Sequence, residues 1–472
     1  MQFDSFTFLL FFVVVVGCYR LIPGWSHKKN WLLFTSYVFY AGWNPWFLPL
    51  LISTSFADWF MAQKMAQAGS RRKRKLWLWS ILSINLGVLG YFKYAYFLSD
   101  SAAQFASALG LSWQVDPFDI ILPIGISFYT FHSLSYCLDV YRGKFAPVKN
   151  LRDYLLYVGF FPQLVAGPIV RWREMQEQIE QPRHMSLATT GMGLCLVTVG
   201  LFEKIVLADA AFAPVADAYF NQATEPGTQQ AWLGALAFSG QIFCDFAGYT
   251  TCALGAALVM GFRLPINFLN PYCALGFSDF WRRWHISLST WLRDYLYIGL
   301  GGNRGGPWLT SRNLMLTMLI GGLWHGAAWT FVIWGGLHGA LLILERVAKH
   351  VFGTVSPGFV LRCVLRLLTL GTIVITWVWF RSQSLAGAWQ STLAMLDVSQ
   401  LLHNPVPLTG AQWIALGCIG ALITGQWLMR DRTMVDVIAK TPAPVTGITM
   451  GLLIALIVLS PGESHAFIYF QF

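Results

Sequence analysis

The sequence predicts an all-α polytopic membrane protein, with about eleven transmembrane helices plus re-entrant and interfacial helices arranged as a ring around a funnel or tunnel. Three observations carry that reading. Hydrophobic residues make up 56% of the 472-residue chain and charged residues 11%, with a mean hydropathy of +0.53, outside the balance of a soluble domain. Apolar runs long enough to cross a bilayer recur along most of the length. Several of them are broken by Pro or Gly, and unwound backbone at membrane depth is tolerated only where protein or a cavity covers it. Segments of that kind are expected to surround an interior space.

A net charge of +10 in a soluble protein would point to nucleic acid. In a membrane protein, cytoplasmic loops rich in Lys and Arg account for it, so the partner is a lipid bilayer and no nucleic acid is expected. The eight cysteines, at 18, 137, 195, 244, 252, 273, 363 and 418, form no C-x-x-C pair and no zinc-like cluster. Free, mostly membrane-buried thiols are expected, with no disulfide frame and no metal site.

The first span covers 1–21. Its leading residues carry Asp4 and no Lys or Arg, whereas a signal peptide needs a positive n-region, so a retained helix is expected. The runs 31–41 and 47–61 are divided by Gly42 and Asn44-Pro45. Pro removes a helix hydrogen bond, so these form two helices of a hairpin. The hairpin puts Lys28 and Lys29, in a short loop, on the same side as the block Arg71-Arg72-Lys73-Arg74-Lys75, and that side is expected to be cytoplasmic.

Further spans are expected over 76–98, over 120–140 with an interruption at Pro123 and Gly125, and over 154–170 with Pro162, Gly167 and Pro168. Residues 171–184 read as a polar, interfacial connector. Spans follow over 187–207 and 231–260, the second carrying Asp245 inside an apolar run. Residues 261–272 read as loop, and later spans cover 364–380, 414–429 and 445–459. No internal repeat is evident, and one integral membrane domain over 1–472 is expected, with its catalytic core at about 240–345.

The stretch 278–340 concentrates Arg, Trp, Gly and three histidines. Placed on one helix over 281–297, Arg282, His285, Ser289 and Arg293 fall within a stripe of ~80°, with tryptophans on the neighbouring arc. An interfacial helix explains the arginines but not His285 at the centre of the stripe. The connector 299–306 is glycine-rich and carries Arg304. It matches neither the dinucleotide fingerprint nor a P-loop. The apolar run 313–344 is too long for one straight span. Within it His325 lies ~20 Å along a helix from Arg312, well inside the hydrocarbon. Gly322 and Gly326, then Gly335 and Gly339, are spaced to let helices approach closely.

Polar residues at that depth are expensive and mark function, so His325 is the first candidate. A neutral imidazole suits a general base near neutral pH. No G-x-S-x-G, H-E-x-x-H or acidic dyad is found. Acyl transfer without a covalent intermediate fits: the base activates an alcohol that attacks a thioester, and arginines hold the phosphates of the coenzyme carrying it. His338 faces another side of its helix and carries a weaker claim.

These residues also resemble a known family. The runs LPIGISFYTF (122–131), VAGPIVR (165–171), DFWRRWHISLSTWLRDYLYI (279–298), LGGNRG (300–305), GGLWHGA (321–327) and FIYFQF (467–472) are similar to those of membrane-bound O-acyltransferases. The alginate O-acetylase type is nearest, and the D-alanyl-lipoteichoic acid transferase more distant. The resemblance implies a helix ring around a funnel, with His325 in LWHG and His285 in RRWHIS as the catalytic pair. His325 would be the base, and His285 would orient or polarise the thioester. Arg282, Arg293 and Arg304 are candidate donor contacts.

The resemblance further implies an acyl group taken from a cytoplasmic donor, acetyl-CoA in the alginate type. That group would cross the inner membrane to a periplasmic acetyltransferase, another acyl-carrying partner, or the exported polysaccharide. Where alginate-type members read DFSGYSDMA this chain has DFAGYTTCA (245–253), and for ENFNQPY it has INFLNPY (266–272). Those departures bear on the substrate more than on the reaction. Two other classes fit broken helices: a transporter or polymer-channel subunit, and a non-catalytic scaffold for a periplasmic acetyltransferase.

Overall fold

The computed structural model describes residues 1–113, 115, 120–221, 227–353, 358–397, 399, 407–460 and 467–468. The run 469–472 of the terminal motif lies outside the described residues. Among the described residues the regular structure is helical throughout, with no strand. Among the described residues six helices are long and apolar enough to cross a membrane: Arg71–Ala108, Leu187–Phe220, Thr228–Val259, Trp329–Phe352, Phe359–Arg381 and Gly410–Leu428. Phe6–Leu21 and Ala443–Leu459 are shorter apolar helices. The chain divides into two compact units, Met1–Thr190 with Ala256–Leu264, and Gly191–Gly255 with Pro265–Phe472.

In the first unit the Asn44-Pro45 break behaves as expected. Helix Trp25–Ala41 ends before Gly42, a short 3₁₀ turn spans Pro45–Phe47, and Leu48–Gln67 follows. The Asn44 side chain accepts from the Trp46 N–H at 3.0 Å, which caps the turn. The short loop expected around Lys28 and Lys29 is instead the first turn of Trp25–Ala41. Lys29 is buried there against Asp153, with Nζ 2.8 Å from Oδ2. A lysine buried with its carboxylate needs no loop to reach water.

The runs broken by Pro and Gly become short helices joined by buried backbone: Ile126–Tyr141, Leu151–Gly159 and Phe161–Leu164. Gly125 has φ 76°, and a Cβ there would stand 2.6 Å from the Leu164 carbonyl oxygen. Freed backbone groups find partners inside the protein. The Phe161 N–H donates to Ser36 Oγ at 3.1 Å, and the Tyr157 hydroxyl donates to the Val170 carbonyl at 3.0 Å. Unwound backbone covered by protein is what the bilayer permits.

In the second unit the stretch 202–212 of helix Leu187–Phe220 is π-helical. Its wider i→i+5 turn brings residues five apart to one side, and Lys204 Nζ reaches Asp209 at 3.0 Å. The same ammonium lies 2.8 Å from Asp245 on Thr228–Val259. The acid inside the apolar run is thus a buried ion cluster, which also accepts the Ile468 backbone N–H at 2.7 Å. Aromatic rings fill much of the core of this unit. Trp284, Trp334 and Trp377 are fully buried, with Trp377 4.8 Å from Trp284 and 5.7 Å from Trp334 between ring centroids. All eight cysteines are free thiols.

Candidate active site

The long apolar run 313–344 breaks at 326–328 into Pro307–His325 and Trp329–Phe352. The two helices pack backbone to backbone. A Cβ on Gly322 would fall 2.3 Å from the Phe331 carbonyl oxygen, and one on Gly335 2.3 Å from that of Met318. The glycine spacing therefore serves the close approach expected of it. His325 is the last residue of its helix, after which Gly326 turns extended at φ −157°, ψ 149°. Its ring sits among Trp324, Trp334 and Phe380, at 5.0, 5.1 and 5.4 Å between centroids. Only 3% of the residue is exposed.

His285 comes to the same place by a different device. Helix Phe277–Arg283 stops, Trp284 is extended, and His285 adopts a left-handed backbone at φ 43°, ψ 55° before Ile286–Trp291 begins. A non-glycine residue there is strained, and Asn267 in the loop from 265 to 270 holds it. Ile286 N–H donates to the Asn267 carbonyl at 2.9 Å. The Asn267 side-chain oxygen takes Ser287 N–H at 3.2 Å and Ser287 Oγ at 2.9 Å, and lies 3.1 Å from His285 Nδ1. Phe246 meets the imidazole edge-to-face at 4.7 Å. The centroids of His285 and His325 stand 6.3 Å apart.

A family model described as "MBOAT, membrane-bound O-acyltransferase family" matches residues 148–378. A probable alginate O-acetylase AlgI of Azotobacter vinelandii is 45% identical over 84% of this chain and 78% of its own length. Another, of Pseudomonas putida, is 40% identical with both chains fully covered. A peptidoglycan O-acetyltransferase of Helicobacter pylori is 38% identical over 79% of this chain and 74% of its own length. The chain belongs to the membrane-bound O-acyltransferase family.

The structure brings together the two histidines of this O-acyltransferase and leaves the three arginines elsewhere. The single helix expected over 281–297 is absent. It is broken at 284–285, and 292–297 is π-helical, so the shared stripe does not exist. His285 is fully buried, whereas Arg282, Arg293 and Arg304 are exposed, Arg293 with its guanidinium 2.7 Å from Asp294. His338 is a satisfied structural residue. Trp281 Nε1 donates to its Nδ1 at 3.3 Å. Thr376 Oγ1 donates to the Ile373 carbonyl at 2.7 Å, so His338 Nε2, 3.2 Å from Thr376 Oγ1, donates to that hydroxyl oxygen.

Sequence reasoning passed over Asn267, and also Arg283 with its carboxylates. Asp279 accepts from Arg283 Nε at 3.0 Å and from Arg430 Nη2 at 2.7 Å, and Arg283 Nη2 reaches Asp431 at 2.7 Å. Arg283 also donates to the Leu269 carbonyl at 3.2 Å, which fastens the Asn267 loop to helix Phe277–Arg283. Burial opposes charge on Asp279. The Leu275 N–H and the two guanidiniums outweigh it and hold the carboxyl below its ordinary range. The i,i+4 spacing of Asp279 and Arg283 was the available signal. For Asn267 no local signal exists.

Proposed function

We propose that this O-acyltransferase transfers an acetyl group from a cytoplasmic donor, acetyl-CoA, for O-acetylation of an exported polysaccharide such as alginate. It does so in the bacterial inner membrane, directly or through a periplasmic acetyltransferase or other acyl-carrying partner. The observation that carries the reading is the meeting of His285 and His325, 6.3 Å apart in a buried aromatic enclosure. The names of the relatives support the acceptor class.

In this reading His325 removes the proton of the attacking hydroxyl as its oxygen bonds to the acyl carbon and the C–S bond breaks. The proton is then returned to the leaving thiolate. His285 orients or polarises the thioester. The exposed guanidiniums of Arg282, Arg293 and Arg304 meet the phosphates of the donor. The enclosure of indole and phenyl rings excludes water, which favours acetyl transfer over hydrolysis.

The test is His325→Ala in intact membranes. Loss of a general base slows transfer by ~10²–10⁴ while the protein stays folded. Full acetylation of the polymer by that variant would remove His325 from the mechanism. Labelled acetyl-CoA offered to the purified protein separates an enzyme, which transfers or hydrolyses it, from a scaffold, which does neither.

A further inference from the structure

We infer that Asn267 is a positioning residue that holds His285 as the Nδ1–H tautomer, so that its Nε2 serves the proposed acyl transfer as an acceptor and not as a donor to the thioester carbonyl. Which end of a buried amide is oxygen follows from its partners. Here one partner leaves no choice, because a backbone N–H only donates. The Ser287 N–H lies 3.2 Å from the terminal group of Asn267, so that group is the oxygen. The same oxygen lies 3.1 Å from His285 Nδ1. Two acceptors facing one another would repel, so Nδ1 carries the hydrogen and donates it. In the neutral ring the lone pair is then on Nε2.

The corner is rigid enough to enforce this. Asn267 is 2% exposed. Its backbone carbonyl takes Ile286 N–H at 2.9 Å while its side chain takes the Ser287 hydroxyl at 2.9 Å. Phe246 and Phe268 flank the imidazole at 4.7 and 6.5 Å between centroids. Rotating the ring to exchange its nitrogens would set a carbon against the Asn267 oxygen. A partner on one nitrogen that dictates the state of the other is the general way a protein sets histidine chemistry.

The consequence for the reaction rests on the acyl-transfer reading. An Nε2 lone pair repels a thioester carbonyl oxygen, so His285 does not polarise it. It instead accepts a hydrogen bond from a substrate donor and orients that substrate, while the hydroxyl proton passes to His325 and on to the thiolate. His285 is unchanged at the end of the cycle.

The experiment uses the full-length protein in lipid, with labelled acetyl-CoA as probe and ¹⁵N-histidine spectra assigned by difference against His285→Asn. In Asn267→Ala, kcat falls about 10–100-fold with KM little changed, and an Nε2–H signal appears for His285. Asn267→Asp, the second variant should alanine not fold, keeps an acceptor at the same place and recovers transfer at high pH. Its carboxylate favours the imidazolium, which has no lone pair to offer, so the acidic limb of kcat moves to higher pH.

Parent rate and pH profile in Asn267→Ala, with His285→Asn inactive, would overturn the positioning role and leave the acyl-transfer reading standing. Parent rate in His285→Asn removes the ring from the reaction, and with it the acceptor role. An Nδ1-protonated ring persisting in Asn267→Ala overturns Asn267 as the residue that sets the tautomer, whatever the activity.

Discussion

Asp279 shows how much of the site depends on a residue that touches neither histidine. Its carboxylate gathers Arg283 and Arg430, and Arg283 in turn holds the Leu269 carbonyl two residues beyond Asn267. Removing one member of such a partly buried set leaves guanidinium charge without its partner, at a cost of about 3 kcal/mol. Asp279→Asn is therefore expected to lower thermal stability near neutral pH. Because the native carboxyl is depressed below its ordinary value, its contribution is complete above the unfolded-state value. It is lost as pH falls through the depressed one. The stability gap between parent and variant should close on acidification, and a gap that stays constant down to acid pH would show that the carboxylate charge is not what matters.

Elements built from glycine-spaced sequence read well from the sequence, and elements that turn without glycine or proline do not. That 313–344 is not one straight helix, and that Gly322 and Gly335 allow a close approach, follow from an over-long apolar run and small residues at helical spacing, whereas the position of the break after His325 does not. The reversal at 284–285 occurs in WRRWHIS, which contains no residue that marks a turn. Its left-handed histidine is imposed from residues 267 and 269, and no periodicity of 281–297 encodes them. Extrapolating one helix through that point produced a stripe that does not exist. His285 stood out for its place at the centre of that stripe, yet what the structure shows is a buried ring at a chain reversal.

The packed glycines give a paired test at this scale. Gly335→Ala drives a Cβ to 2.3 Å from the Met318 carbonyl and should cost at least 1–3 kcal/mol. Gly371→Ala, where nothing lies within 4 Å, should gain about 0.5–1 kcal/mol from helix propensity. Thermal unfolding of both in lipid nanodiscs decides it, and equal effects would mean that the crossing is not close-packed.

At the scale of the whole molecule, the all-α membrane class was legible because a bilayer allows few solutions to an apolar chain, whereas six described helices are long and apolar enough to cross, against about eleven expected. The buried ion clusters were not, since Lys29 with Asp153 joins residues far apart in sequence. The proposed orientation has its own check. Gly69, exposed beside the basic block with nothing within 4 Å of a Cβ, accepts a cysteine without strain. In a background whose eight native cysteines are replaced, Gly69→Cys should react with a membrane-impermeant maleimide only after the inner membrane is permeabilised. Labelling in spheroplasts with that membrane sealed would invert the topology.

The cluster at Asp245 bears on how such a chain enters the membrane during synthesis. Ile468, whose N–H it accepts, is added 223 residues after Asp245. Lys204 has already been made when Asp245 leaves the ribosome, and it supplies the countercharge at 2.8 Å. A lone carboxylate in the bilayer costs several kcal/mol, and a lysine already present in the chain lowers that cost. The countercharge is thus available from the start, shared between Asp209 and Asp245, and the late-arriving backbone N–H completes that cluster.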